Sequence, residues 1–284
     1  MDHAQAAAPA GVGRLLRQWR TQRGLSQLDL SGEAGISARH LSFVETGRAQ
    51  PSREMVLLLS RALDVPLRDR NELLIAAGYA PVYRQTDLAA PAMAQVRRAL
   101  DFILRQQEPY PALVLDRHWD VLAVNEGTAR VQAHFLDPAA VAALGPPNAM
   151  RLTFHPSGFR PFIVNWEATA ASMIQWLHRD AVSGFGDART RALLDELLSY
   201  PDVPRQWRRL DLDVSTAPFL PIELSRGETT LRYFTTLTSL GTPHDITLQE
   251  LRIESFFPAD EATEETTRRL VAAHVSSTAG VGRA

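Results

Sequence analysis

No cysteine occurs anywhere in the 284 residues. That absence excludes a disulfide framework, a thiolate zinc site, an iron–sulfur cluster and a cysteine nucleophile. Lysine is missing too, so all 30 basic residues are arginine. With the many alanines and prolines, this points to genome base composition rather than to mechanism. No uncharged apolar run approaches the roughly 18 residues of a bilayer span, so no membrane partner is expected. The first residues, Met1-Asp2-His3-Ala4-Gln5, carry neither a basic leader nor an apolar core, and a cytoplasmic protein is the default expectation.

What is present suits a soluble globular chain, with 45% hydrophobic and 22% charged residues. The length suggests two domains. Charge divides unevenly: residues 1–84 hold 11 arginines against 8 acidic residues, whereas residues 85–284 hold 19 against 24. A mildly basic head on an acidic body suggests that only the head meets a polyanion.

Residues 1–11 read as a disordered arm. From Val12 to Tyr79, five short helical patterns are separated by clear stop and start signals. The first carries Leu15, Leu16 and Trp19 and stops at Gly24. The second is capped by Ser26 with Asp29 three positions on, and the third by Ser37, closing at Gly47. The fourth shows Met55, Leu58, Leu59, Ala62 and Leu63 at helical spacing, and the fifth Leu73, Leu74 and Ala77. Residues 80–107 read as a linker and a connecting helix, whose Met93, Val96, Leu100 and Ile103 form a heptad-like seam. That seam fits either a helix lying on the second domain or a dimer contact. Beyond it, Ala112–Leu115 and Trp119–Val124 read as strands, Trp166–Ala181 and Ala188–Leu198 as helices. Phe219–Leu224, Thr229–Leu240 and Thr247–Phe257 read as a run of strands, joined by turns at Arg226-Gly227-Glu228 and Gly241–Asp245. The fold class is therefore an α domain, residues 12–79, followed by an α+β domain, residues 108–275, with a loose tail at 276–284.

Chemistry concentrates in Gly24-Leu-Ser-Gln27, Ala34-Gly35-Ile36-Ser37 and Leu41 through Gly47. Two short helices joined by a tight turn form a helix-turn-helix, whose second helix enters the major groove of double-stranded DNA. Gly35 supplies the positive φ that the turn requires. Leu41 and Val44 define the inward side of this second helix, so Arg39, Ser42, Phe43 and Thr46 point outward, with Ala38 to one side at the start. Arginine bonds bidentately to guanine, and phenylalanine packs on a thymine methyl. Gln27 and Arg48 are phosphate candidates, and His40 flanks the face. Acidic Glu45 is expected to pair with Arg20 of the first helix and so to fix the angle of the recognition helix.

These segments, with Glu45-Thr46-Gly47-Arg48-Ala49-Gln50-Pro51-Ser52, resemble the Xre-type helix-turn-helix regulators. Farther on, the run from Pro111 to Asn125, with Phe154-His155-Pro156, Arg160-Pro161 and Asn165-Trp166, resembles the MmyB-like regulators. The resemblance implies a bacterial transcription factor, usually dimeric, with DNA contacts at Gln27, Ala38, Arg39, Phe43 and Arg48. It also implies a PAS-like second domain: an antiparallel sheet with flanking helices around a small, apolar, fatty-acid-like ligand. One departure is Leu30-Ser31-Gly32 in the second helix, where Gly32 costs roughly 1 kcal/mol against alanine.

For the ligand, apolar material is offered by Phe154, Phe159, Phe162, Ile163, Trp166, Trp176, Phe234 and Phe257, of which Phe154, Trp166 and Phe234 are the chosen walls, with Arg160 as a carboxylate clamp and His155 or Asn165 for a polar head. Enzyme readings find no support. His118, His134, His155 and His178 are scattered without metal-ligand spacing, no nucleophile elbow occurs, and no catalytic residue or metal site is expected. The reading is a homodimeric, ligand-responsive regulator on a two-fold operator. The alternative is a DNA-binding protein whose second domain only dimerises or binds a protein partner.

Overall fold

The computed structural model describes residues 11–182, 187–209, 220–241 and 243–279. The expected N-terminal arm, except Gly11, and the last five residues of the expected tail lie outside these. Two compact units result: Met1–Thr86 with Thr242–Gln249, and Asp87–Gly241 with Glu250–Ala284. No helix among the described residues is long and apolar enough to cross a membrane.

In the first unit, all five helical patterns are helices: α1 Val12–Gln22, α2 Gln27–Glu33, α3 Ala38–Glu45, α4 Arg53–Ala62 and α5 Leu67–Ala76. Ser26 caps α2 in a reciprocal box with Asp29, and the Ser37 hydroxyl accepts the His40 N–H at 3.2 Å at the head of α3. Gly35 takes φ +64° in the turn and Gly47 φ +73° past α3. Leu16, Leu30, Leu41, Val44, Leu59, Leu73 and Leu74 are fully enclosed in the shared core. The buried stripe of α4 differs from the expected one: Val56, Leu59, Ser60 and Leu63 face inward and Leu58 is exposed.

The expected linker is not free chain. Residues 80–86 belong to the helical unit, where the Asn71 side chain accepts the Val82 and Tyr83 N–H groups and donates to the Tyr83 carbonyl. The chain returns to this unit near residue 245. There Asp245 accepts both the N–H and the hydroxyl of Thr86, and Gln249 accepts the Leu67 N–H at 2.7 Å.

The second unit begins with a 3-10 turn, Pro91–Met93, running into α6, Ala94–Gln106. Met93 and Leu100 of the heptad-like seam are buried, Val96 and Ile103 half-buried, and α6 packs on the first strand. The order continues β1 Ala112–Leu115, β2 Val121–Val124, α7 Glu126–Phe135, α8 Pro138–Ala142, α9 Ala149–Phe154, α10 Trp166–Val182 and α11 Ala188–Leu197. It closes with β3 Leu220–Arg226, β4 Thr229–Thr238, β5 Arg252–Pro258 and α13 Glu261–Ala279, while the segment that returns to the helical unit between β4 and β5 forms α12, Ile246–Glu250. The five strands form one antiparallel sheet in the order β2-β1-β5-β4-β3, with helices flanking it, as the PAS-like resemblance implies.

Several boundaries shift for local reasons. Trp119 has φ +66°, so β2 starts at Val121 rather than at Trp119. The segment read as strand from Thr247 first turns through α12, whose Thr247 N–H is held by the Asp245 carboxylate at 2.9 Å, and β5 starts only at Arg252. Helix α13 continues to Ala279, past Ser276, where the tail was expected to begin. Asn125, the last residue of the Pro111–Asn125 motif, ties these elements together. Its side chain accepts the Ala112 and Thr128 N–H groups at 2.9 Å each and donates to the Tyr110 carbonyl at 2.8 Å, clamping β1 to the start of α7.

Candidate nucleic-acid interface and ligand cavity

On α3, Leu41 and Val44 are fully buried, and Arg39 and Thr46 are exposed with Ser42 and Phe43 half-buried between core and solvent. The Arg39 guanidinium lies over the Phe43 ring, 5.4 Å from its centroid, so the two outward residues form one stacked unit. Thr46 caps the helix end, its hydroxyl donating to the Ser42 carbonyl at 2.7 Å. Arg48 is exposed just beyond, with its N–H on the Phe43 carbonyl at 2.8 Å. Ala38 and His40 are half-buried at the helix start.

Arg20 and Glu45 meet in a bidentate pair, Nε–Oε1 2.6 Å and Nη2–Oε2 2.9 Å, with the two residues only 8% and 7% exposed. The Gln27 amide also donates to Glu45 Oε2, at 2.8 Å. One carboxylate thus ties α1, α2 and α3 together. This commits one amide proton of Gln27, the expected phosphate contact, to the protein itself. Burial pushes the Glu45 carboxyl up, but hydrogen bonds from Arg20 and Gln27, with the charges of Arg20 and Arg17, outweigh it and hold the group below its ordinary value. Gly13 lies inside α1 against the last turn of α3. A Cβ there would overlap the Val44 carbonyl oxygen and sit 2.9 Å from that of Glu45.

In the second unit, a cavity of about 90 Å³ lies between the sheet and its helices, walled by Leu113, Val131, Leu152, Phe159, Met173 and Leu224 among others. Of the apolar material the sequence offered, Phe159 lines it, but none of the six chosen ligand residues does. Phe154 is buried edge-on against Trp166, and the Arg160 guanidinium lies 3.9 Å from the Trp166 ring centroid, spent on that ring rather than on a carboxylate. Asn165 brackets β3, donating to the Pro221 carbonyl and accepting the Glu223 N–H. The His155 ring accepts the Ser157 N–H, closing its own turn. Phe234 stacks on Phe257, and the register places both on the opposite sheet face from the cavity-lining Tyr233 and Phe256. Among the described residues no cluster of acidic residues and histidines could hold a metal ion. His118 and His178 make separate bonds, to Asp187 and to the Trp207 carbonyl.

The polar groups of the cavity were missed because nothing in the sequence sets them apart from the other polar residues of their strands and helices. They are Thr128, Gln132, Thr153, Tyr233, Thr235 and Glu254. Thr128 and Thr153 donate to the carbonyls of Ala112 and Ala149, and the Tyr233 hydroxyl pairs with Thr267 at 2.5 Å. Glu254 is 8% exposed, and burial pushes its carboxyl up to about 7, with Thr235 pulling the other way.

Residues 96–270 match the MmyB-like transcription regulator ligand binding domain, and residues 16–69 match the helix-turn-helix family. An uncharacterized HTH-type transcriptional regulator of Mycobacterium tuberculosis is 31% identical over 122 residues, which span 43% of this chain and 43% of that protein. Transcriptional regulator ClgR of the same species is 37% identical over 67 residues, 24% of this chain and 57% of ClgR. An RNA-binding light-oxygen-voltage receptor of known structure aligns with 95% of this chain and 64% of its own, at 11% identity and a TM-score of 0.25, too loose a likeness to carry an argument. With a helix-turn-helix head and a sheet-and-helix body matched along most of its length, the chain belongs to the MmyB-like transcription regulators.

Proposed function

We propose that this protein is a cytoplasmic, homodimeric transcription regulator that reads a two-fold operator through α3 and answers to a small apolar ligand in its second unit. The stacked Arg39–Phe43 pair carries the reading: an exposed cation and a ring held side by side on the face turned away from the core. Arg39 then reads a guanine and Phe43 a thymine methyl, with Ala38, Ser42 and Thr46 beside them. Ser37, His40, Gln27 and Arg48 meet the backbone, and the two copies of α3 lie about 34–36 Å apart in successive major grooves.

Operator binding by single variants tests the assignment. Arg39→Ala is expected to cost about 1–3 kcal/mol and to relax preference at one base position. Arg48→Ala is expected to weaken specific and random DNA alike and to reduce the salt slope by about one. Equal effects of both variants on specific and random DNA would overturn the face assignment.

The ligand acts by binding the operator-competent and incompetent dimers with different affinity. Native mass spectrometry of freshly purified protein is expected to show a retained small molecule, and its removal to change operator affinity. Unchanged affinity would leave a second unit that only dimerises or binds a protein.

A further inference from the structure

The cavity is chemically one-sided. Among the described residues lining it there is no arginine or histidine, and the two titratable ones are Tyr233 and Glu254. Tyr233 is already spoken for: its hydroxyl pairs with Thr267, and burial pushes it up to about 12. Glu254 lies in the strand β5 beside β1 and β4, and among the described residues Thr235 is the side chain that acts on its carboxyl. The Thr235 hydroxyl is itself buried, and the Glu254 carboxyl is the group it acts on. A carboxyl and a hydroxyl thus face an apolar space with acceptor capacity unused, and a buried carboxylate without a countercharge is costly.

A ligand carboxylate would find no cationic clamp among the described lining residues, and a like charge wherever Glu254 is ionised. A ligand with an amine meets the reverse: a lone carboxylate for its charge, an acceptor hydroxyl for a second N–H, and apolar walls for its carbon skeleton. We propose that the second unit takes an apolar amine, its ammonium group held by Glu254 and Thr235. This rests on the reading of the unit as a small-molecule site and replaces the fatty-acid head group with a donor one. A cavity of about 90 Å³ is smaller than one of about 150 Å³ that holds benzene, so a short-chain amine is the fitting probe.

The experiment titrates the full chain with butylamine, butanol and butyrate by NMR at about pH 8, where Glu254 is ionised. Butylamine is expected to bind at least about tenfold tighter than butyrate. Glu254→Gln, nearly the same shape, is expected to weaken butylamine about tenfold and to leave butanol within about twofold. Thr235→Val, a second variant that keeps the fold testable should Glu254→Gln unfold, is expected to weaken butylamine about threefold. Butyrate binding as tightly as butylamine, or butylamine indifferent to both substitutions, would overturn the proposal. So would binding of none of the three. The small-molecule reading itself is judged separately by the retained mass: a retained carboxylic acid keeps that reading and sinks the amine.

Discussion

Glu45→Gln is expected to lower the stability of the helical unit by about 3 kcal/mol, the lower end of the range for breaking a buried ion pair. The substitution leaves the Arg20 guanidinium buried with its hydrogen bond to the Leu25 carbonyl and no countercharge. Hydrogen exchange of α1 and α3 in the full chain should quicken together, since both hang on the same carboxylate. A double substitution, Arg20→Met with Glu45→Leu, should recover most of the loss, because two apolar side chains remove the charge with its partner. Operator affinity should not recover with it, since the angle between α1 and α3 would no longer be fixed by a directional bond.

The same pair sets an acid limit. Glu45 is held below its ordinary value in the folded chain, so the unfolded chain takes up its proton first as pH falls. The pair's contribution is therefore fully present above the ordinary glutamate value, about 4.3, and is lost as pH drops through the lower folded value. Acid unfolding of Glu45→Gln should lack that component, and an unchanged acid profile would show the pair to be energetically idle.

The sequence made α1 to α5 legible because each helix announces itself twice, by an apolar stripe and by a serine or glycine at its end. The outward face of α3 followed from helical geometry, and the Arg20–Glu45 pair from the expectation that an acidic residue on such a helix needs a partner. The second unit was less legible. Helix α13 was missed because Thr263 and Thr267 do the packing where leucines would: they are buried, and hydrogen-bond the Arg232 N–H and the Tyr233 hydroxyl. A hydrophobic period is silent there. The chosen ligand residues were the conspicuous ones, an arginine and several aromatics, and these pack on aromatic rings: Arg160 over Trp166, Phe154 edge-on to Trp166, Phe234 stacked on Phe257. What lines the cavity is a set of side chains chosen by alternation along strands, and alternation cannot be read until the register is known.

Gly13→Ala and Gly32→Ala should have opposite signs, although both place a methyl in a helix. At Gly13 the new Cβ meets the carbonyl oxygens of Val44 and Glu45, which are backbone atoms in the last turn of α3 and cannot swing aside. Overpacking of this kind costs about 3 kcal/mol at the upper end of the usual range. It outweighs the gain of about 1 kcal/mol in helix propensity. The net loss of about 2 kcal/mol is relieved only if α3 moves away from α1, and that motion displaces Arg39 and Phe43 from the geometry set by Glu45. Operator affinity should therefore fall further than stability does. At Gly32 no atom lies within 4 Å of the added carbon and the backbone is helical, so alanine is expected to stabilise α2 by about 1 kcal/mol with the operator contacts untouched. Urea midpoints and operator titrations of the two variants make the comparison. If Gly13→Ala matched Gly32→Ala in both, α1 would not be pressed against the recognition helix, and the angle of α3 would rest on the ion pair alone.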